Sequence, residues 1–270
     1  MLNSQLYNYS LRNDGLQNYC LQNYGLRNNS LRNNSMRKLR GFSILEMAVV
    51  LIILSTLLGG LLVSFSEVQE SKNRNEAEQQ VAQWVEALYG FAQTNGRLPC
   101  PATAASGGFE APVGGGACTQ RFGFIPSATL GLTGSVDALA LLTDPWLSPY
   151  RYAVTNSNAN AFTTANGMRT ATIPILAPAF RVCAQAACTT VIANTVPAVV
   201  LSLGSDWSTF TGAAVDATEN SGEVIVAGFR HGNDNDFVST GYIEAVFDDV
   251  ISWITPSILY TRMISAGQLP

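Results

Sequence analysis

The chain has 270 residues, 47% hydrophobic and only 13% charged, about half the charged share of an ordinary soluble chain, which excludes a disordered or fully solvated protein. A formal net charge of -4, with no pooling of Lys or Arg beyond the N-terminal stretch, excludes nucleic-acid binding through a basic surface. Five Cys and a single His, His231, leave little material for a metal-dependent or His-based catalytic centre.

Charge is uneven along the chain. Residues 1–41 hold six of the fifteen basic residues and one of the nineteen acids, so residues 42–270 carry nine basic against eighteen acidic residues. A boundary follows near residue 41. Within the first stretch, Leu6 to Ser35 repeats every five residues (LYNYS, LRNDG, LQNYC, LQNYG, LRNNS, LRNNS). The residue two places before each Leu varies and is often large (Tyr9, Tyr19, Asn29), which rules out a pentapeptide solenoid, and one apolar residue in five cannot repay the entropy of ordering. Residues 1–35 read as a disordered leader or as translated DNA repeat, with Met36 a plausible start.

Residues 42–65, FSILEMAVVLIILSTLLGGLLVSF, include seventeen apolar side chains among twenty-four, with one charge, Glu46. A helix of that length reaches roughly 36 Å, enough to cross the hydrocarbon core. Arg37, Lys38 and Arg40 precede it with no basic cluster after it, so the N-terminus is expected in the cytoplasm and the remainder outside the inner membrane. The run is too long for a secretory signal and lacks its small-residue cleavage site. Glu46 is the anomaly. An ionised carboxylate there costs on the order of 2–3 kcal/mol without a partner, and no Lys or Arg occurs from Phe42 to Val68. Cleavage between Gly41 and Phe42 would create a cation, the new α-amino group, one turn away.

Arg40-Gly41-Phe42-Ser43-Ile44-Leu45-Glu46-Met47 and the apolar run behind it resemble the processing site of type IV prepilins and type II secretion pseudopilins. The resemblance implies that a prepilin peptidase cuts after Gly41 and methylates Phe42. Glu46 would then pair with the Phe42 amine of a neighbouring subunit, or with its own as an (i, i+4) neighbour. Gly59 and Gly60 stand where related helices loosen on assembly.

Residues 66–95 contain no Pro and carry Val81, Trp84, Val85, Leu88, Phe91 and Ala92 at three- and four-residue spacing, predicting an amphipathic continuation of the same helix that stops at Asn95-Gly96. The stripe is expected to cover a globular head formed by residues 96–270. There, Tyr150 to Val154, Ala171 to Ile175, Pro197 to Leu203 and Glu223 to Ala227 are the expected strands, Val246 to Ile254 reads as helix, and Thr255-Pro256 opens a second helix reaching Met263. The predicted fold class is α+β and pilin-like: a long N-terminal helix packed on an antiparallel β-sheet head.

Asp144-Pro145-Trp146-Leu147-Ser148-Pro149-Tyr150-Arg151-Tyr152 resembles the Asp-Pro-Trp-Gly-x-Pro-Tyr-x-Tyr turn of major pseudopilins, with Leu147 where Gly is usual. Leu cannot take positive φ cheaply, so the turn's backbone is in question. Ser202-Leu203-Gly204-Ser205-Asp206 and Asp249-Val250-Ile251-Ser252-Trp253 are similar to the same family's C-terminal half, although its head is shorter. Residues 95–101 (NGRLPCP), with Arg262-Met263 and Gly267 to Pro270, resemble a wider group of prepilin-type proteins.

Cys20 falls in the leader, while Cys100, Cys118, Cys183 and Cys188 lie in a head placed in an oxidising compartment, so disulfides are expected. Three pairings are open. The sequence-local ones, Cys100 with Cys118 and Cys183 with Cys188, are favoured, and a four-thiolate zinc site is the rival. Gly232 to Asp236 packs amides and carboxylates into a turn, with Asp206, Asp216 and Glu219 before it; together with Asp234 and Asp236 these are candidate calcium ligands. The resembling family holds Ca²⁺ in its C-terminal loop, and a solvated turn accounts for the same residues. No other cofactor is required.

The leading functional reading is structural rather than enzymatic: a membrane-inserted, peptidase-processed pilin-like subunit, minor by the size of its head, that joins a type IV pilus or type II secretion pseudopilus and whose partners are prepilin peptidase, other pilin or pseudopilin subunits and the inner membrane. Two rivals remain: an anchored periplasmic enzyme using His231 with Asp234 or Asp236, and a filament-tip adhesin.

Overall fold

The computed structural model describes residues 41–208, 219–221, 235–243 and 246–270, with residues 60–66 described by backbone alone. Contacts divide the chain into two units, residues 1–54 and 55–270. The pentapeptide repeat, Cys20, Met36 and the basic residues before Gly41 lie outside the described residues, as does the expected strand from Glu223 to Ala227.

A single helix, α1, spans Ile44–Asn95 and ends as predicted, with Gly96 in the left-handed region at φ 66°. In the first unit its apolar side chains are exposed, from Phe42 and Ile44 to Leu54. Among the described residues no helix is long and apolar enough to cross a membrane. In the second unit the amphipathic half is set by its spacing: Ala77, Val81, Trp84, Val85, Leu88 and Ala92 are buried in one core, and Phe91 is half-buried beneath the Arg97 guanidinium.

That core lies against an antiparallel sheet in the order β1-β2-β5-β7, comprising β1 (Phe122–Phe124), β2 (Arg151–Val154), β5 (Ala198–Ser202) and β7 (Val250–Trp253). Alternation along the strands divides it between two cores. Tyr152, Val154, Ala198 and Val200 face α1, whereas Ala153, Val199 and Leu201 face a second sheet. The second sheet runs β4-β3-β6, from β3 (Phe180–Cys183), β4 (Val191–Val196) and β6 (Asp236–Val238); β3 pairs antiparallel with β4 and parallel with β6. Phe122, Phe180 and Phe237 stack between the sheets. Both faces of β5 are covered, which is why it reads as an unbroken apolar run. The architecture is therefore α+β with a helix packed on an antiparallel sheet.

Two sequence expectations fail here. Ala171–Ile175 is not a strand: Pro174 cannot donate to a ladder, and the segment closes a short helix and forms a 3-10 turn at Ile173–Ile175. Val246–Ile254 is not a helix. Val250, Ser252 and Ile254 alternate with Ile251 and Trp253, and pairing with β5 selects that period of two over helix. The C-terminal helix, Pro256–Ser265, follows Thr255 with Pro256 at its first position. The Thr255 amide is donated to the Tyr89 hydroxyl at 2.8 Å, tying the helix start to α1. Arg262 pairs with Glu86, and the Gln268 amide donates to the carbonyls of Gln93 and Thr94, so the C-terminal segment is tied to the last turns of α1.

Both favoured disulfides are present, Cys100–Cys118 and Cys183–Cys188, which removes the four-thiolate zinc alternative. The loop closed by the first is held by a buried ion pair. Arg97 donates to both Glu110 oxygens at 2.8 and 2.7 Å, and Glu110 also accepts from the amides of Cys100 and Gly114. Burial raises the Glu110 pKa, but Arg97 and the two amides outweigh it and hold the carboxyl below its ordinary range. Glu110→Ala would strand the Arg97 charge in the interior, so urea unfolding should show a loss of about 3–5 kcal/mol, with Glu110→Gln intermediate; equal stability of the wild-type and Ala chains would refute this role.

Candidate functional site

Two places carry the residues singled out by sequence. The first is the start of α1. Gly41, Phe42 and Ser43 are non-helical and exposed, Phe42 at 77%, and the helix begins at Ile44 with Glu46 in its first turn. A carboxylate in a helix's first turn faces the positive end of the dipole. Gly41 has open space around its α-carbon. Exposed apolar side chains occur through the following turns, at Met47, Val49, Val50, Leu51, Ile52, Ile53, Leu54, Leu57 and Leu58, so the helix presents apolar surface in every direction around its axis.

The second is a group of carboxylates beside the β5 and β7 ends. Asp144, from the Asp-Pro-Trp turn, accepts the amides of Trp146 and Ser148 on Oδ1 and the Ser202 hydroxyl on Oδ2. Leu147 sits at φ 65°, the left-handed region that Gly enters freely and Leu does not. Gly204, also at positive φ, lies against the Asp248 carboxyl, where a Cβ would collide. Asp248 accepts the Ser205 amide at 2.6 Å and the Ser205 hydroxyl at 2.7 Å on Oδ2. Asp249 accepts from Asn220 at 2.9 Å, and Asn220 is itself clamped to the Val238 amide and carbonyl.

Like charges crowd here. Burial first, then Asp248, pushes Asp206 up to about 6. Burial holds Asp249 well above its ordinary value, with Asp248 and Asp206 adding to the rise against Asn220 and Arg74. The buried Oδ1 atoms of Asp248 and Asp249 have no hydrogen-bond partner. Each such atom costs about 1–3 kcal/mol unless something satisfies it.

The structure brings one of the sequence-predicted ligands to this cluster. Asp206 does lie in the cluster, but its companions are Asp248 and Asp249. Asp236 is engaged instead by the Arg181 guanidinium, Nη2 to Oδ2 at 2.5 Å on the facing strand. Glu219 heads the short helical turn that carries Asn220, and Asp216, Asp234 and His231 lie outside the described residues. Cys183 and Cys188 lie close to Asp236, but their sulfurs are bonded to one another and offer no thiolate. Asp249 stood in the quoted segment Asp249 to Trp253, but the helix expected over Val246 to Ile254 hid its place beside Asp206, and Asp248 carried no signal beyond its adjacency to Asp249.

A cavity of about 300 Å³ is lined by Phe122, Phe124, Arg151, Asn220 and Phe237 among others. No family model, no curated protein and no solved structure matches this chain.

Burial, opposed by Ser202 and the Ser148 and Trp146 amides and assisted by Asp248, raises Asp144 from 3.8 to about 6. The native state therefore keeps this proton at pH values where the unfolded chain has lost it. Stability present below about pH 4 should decline by at most about 3 kcal/mol as pH rises to about 6. Asp144→Asn should flatten that part of the profile in urea titrations; parallel wild-type and variant profiles would rule Asp144 out as its source.

Proposed function

We propose that the chain is a pilin-like structural subunit. It is cut after Gly41 by prepilin peptidase, N-methylated on Phe42, and held in the inner membrane by residues 42–65 with its head in the periplasm. It is then assembled through α1 into a type IV pilus or type II secretion pseudopilus, as a minor subunit. One observation carries this reading: Glu46 is the lone charge in the first turn of a helix whose following side chains are apolar and exposed on every face. Such a helix needs an apolar surrounding, and its acid needs a cation, which the freed Phe42 amine of the same or a neighbouring subunit supplies. The α+β head, with the second half of the helix as its spine, agrees with the resemblance.

A calcium ion would enter at the carboxylate cluster. Its donors are hard oxygens, Asp248 and Asp249 hold buried oxygens without a donor, and Asp248 raises the pKa of both Asp206 and Asp249. No choice of one oxygen from each of Asp206, Asp248 and Asp249 brings all three within 4.8 Å of one another, so the ion would have to draw them together, its charge letting them ionise side by side. Asn220 positions Asp249, and Ser205 positions Asp248.

The chain purified from membranes should begin at N-methylphenylalanine 42 by mass spectrometry; any other N-terminus defeats the processing assignment. Glu46→Val should leave membrane insertion intact while abolishing incorporation into filaments, read by fractionating sheared filaments from cells, and normal incorporation would defeat the pairing. For calcium, ion at about a hundred-fold over its Kd should stabilise by about 2.7 kcal/mol, raising Tm by roughly 5–10 °C over the chelated protein. Asp249→Asn should abolish most of that gain; a Tm indifferent to calcium would dismiss the ion.

A further inference from the structure

We propose that the cleft where α1 meets the segment from Thr133 to Pro145 is a binding site for ordered water, and that this water, held by the Thr143 hydroxyl and the Trp84 indole N–H, is the polar joint between the helix and the head. Every residue involved belongs to the unit formed by residues 55–270.

Two orphaned groups are the first ground. Thr143 and Trp84 are more than nine-tenths buried, at 6% and 7% exposure, and both border this cleft. Neither Thr143 Oγ1 nor Trp84 Nε1 has a hydrogen-bond partner. The Tyr150 hydroxyl lies near the indole and makes an electrostatic contact with it, but its proton goes to Gln80 and it stands outside hydrogen-bonding geometry from Nε1. Buried polar side chains are hydrogen-bonded as a rule, so two such groups on one cleft point to an occupant.

Shape is the second. Glu76, Gln80 and Trp84 follow one another at four-residue intervals, so they line one side of the cleft from a single face of α1. Ser135, Thr143 and Asp144 line the other side. The space measures about 70 Å³, and a water needs only about 10–15 Å³ for its centre. Pockets for organic ligands begin at about 300 Å³, far above this.

Chemistry is the third. An anion would meet the carboxyl groups of Glu76 and Asp144. A metal ion would face the indole N–H, which donates and cannot ligate. An apolar molecule would leave both orphaned groups unsatisfied. Water both donates and accepts, so it can take the Trp84 proton, exchange a hydrogen bond with Thr143 and donate to the Glu76 carboxylate. Those three groups supply the two to four partners that hold a buried water in place.

The test uses the full chain in detergent micelles, labelled with nitrogen-15 at tryptophan. The Trp84 indole signal is assigned by its loss in Trp84→Phe. Water-selective NMR should give a cross-peak between that indole proton and water, with the sign of a bound molecule and not of bulk solvent. Thr143→Ser should keep the cross-peak. Thr143→Val, which replaces the hydroxyl at nearly the same shape, should weaken it several-fold. In urea titrations Thr143→Val should also raise the unfolding constant about three- to ten-fold, because a hydrogen-bonded hydroxyl is lost. A dry cleft predicts the opposite sign, since valine would then remove an unsatisfied group and add stability. The proposal is overturned by the lack of a bound-water cross-peak in the wild-type chain, by a cross-peak indifferent to Thr143→Val, or by a Thr143→Val chain at least as stable as wild type. Should Thr143→Val fail to fold, the wild-type cross-peak decides alone.

Discussion

The buried stripe of α1 from Ala77 to Ala92 is the constraint on which the head is built. A four-stranded sheet has two faces to cover, and here one is covered by a helix that begins in another compact unit. The Trp84 and Tyr150 rings meet edge to face at 6.2 Å, Tyr89 receives the backbone of the C-terminal helix, and Leu259 and Met263 close the same core. Remove the stripe and Tyr152, Val154 and Val200 would face water. The second sheet has no such dependence on α1, because its aromatic cluster packs on the opposite face.

Polar groups in the head divide by how completely they are matched. Arg97 and Glu110 satisfy one another, and the two neighbouring amides complete the set, so a buried ion pair is tolerated where loop closure would otherwise be loose. The carboxylates of Asp248 and Asp249 are the opposite case: Ser205 donates to Asp248 and Asn220 to Asp249, and the buried Oδ1 of each is left without a donor.

Much of this was legible in the sequence where periodicity and local chemistry agreed. The helix stop at Asn95-Gly96, the α1 stripe, the strands around Tyr152 and Val200, the Pro256 helix start and both cysteine pairs depend on neighbours within a turn or a loop. What failed depended on partners remote in sequence. Val250–Trp253 became a strand because β5 lies beside it, and Ala171–Ile175 lost strand character to Pro174. Of the ionic site, Asp206 was legible from the Gly204-Ser205-Asp206 turn, whereas Asp248 and Asp249 join it only once β7 is laid against β5. The acid-rich turn drew attention because its composition was conspicuous, yet Asp236 had a simpler partner in Arg181 across the strand pair.

The ties between α1 and the C-terminal helix have a mechanical meaning. Glu86 holds Arg262, Tyr89 holds the Thr255 amide, and the carbonyls of Gln93 and Thr94 hold Gln268, so the attachments are spread along successive turns of one rod. A pull directed along that rod loads them side by side, in shear, instead of peeling them one after another. Traction applied through the helix would thus be shared across the head's own seam, and the fold would yield only when several bonds give way at once.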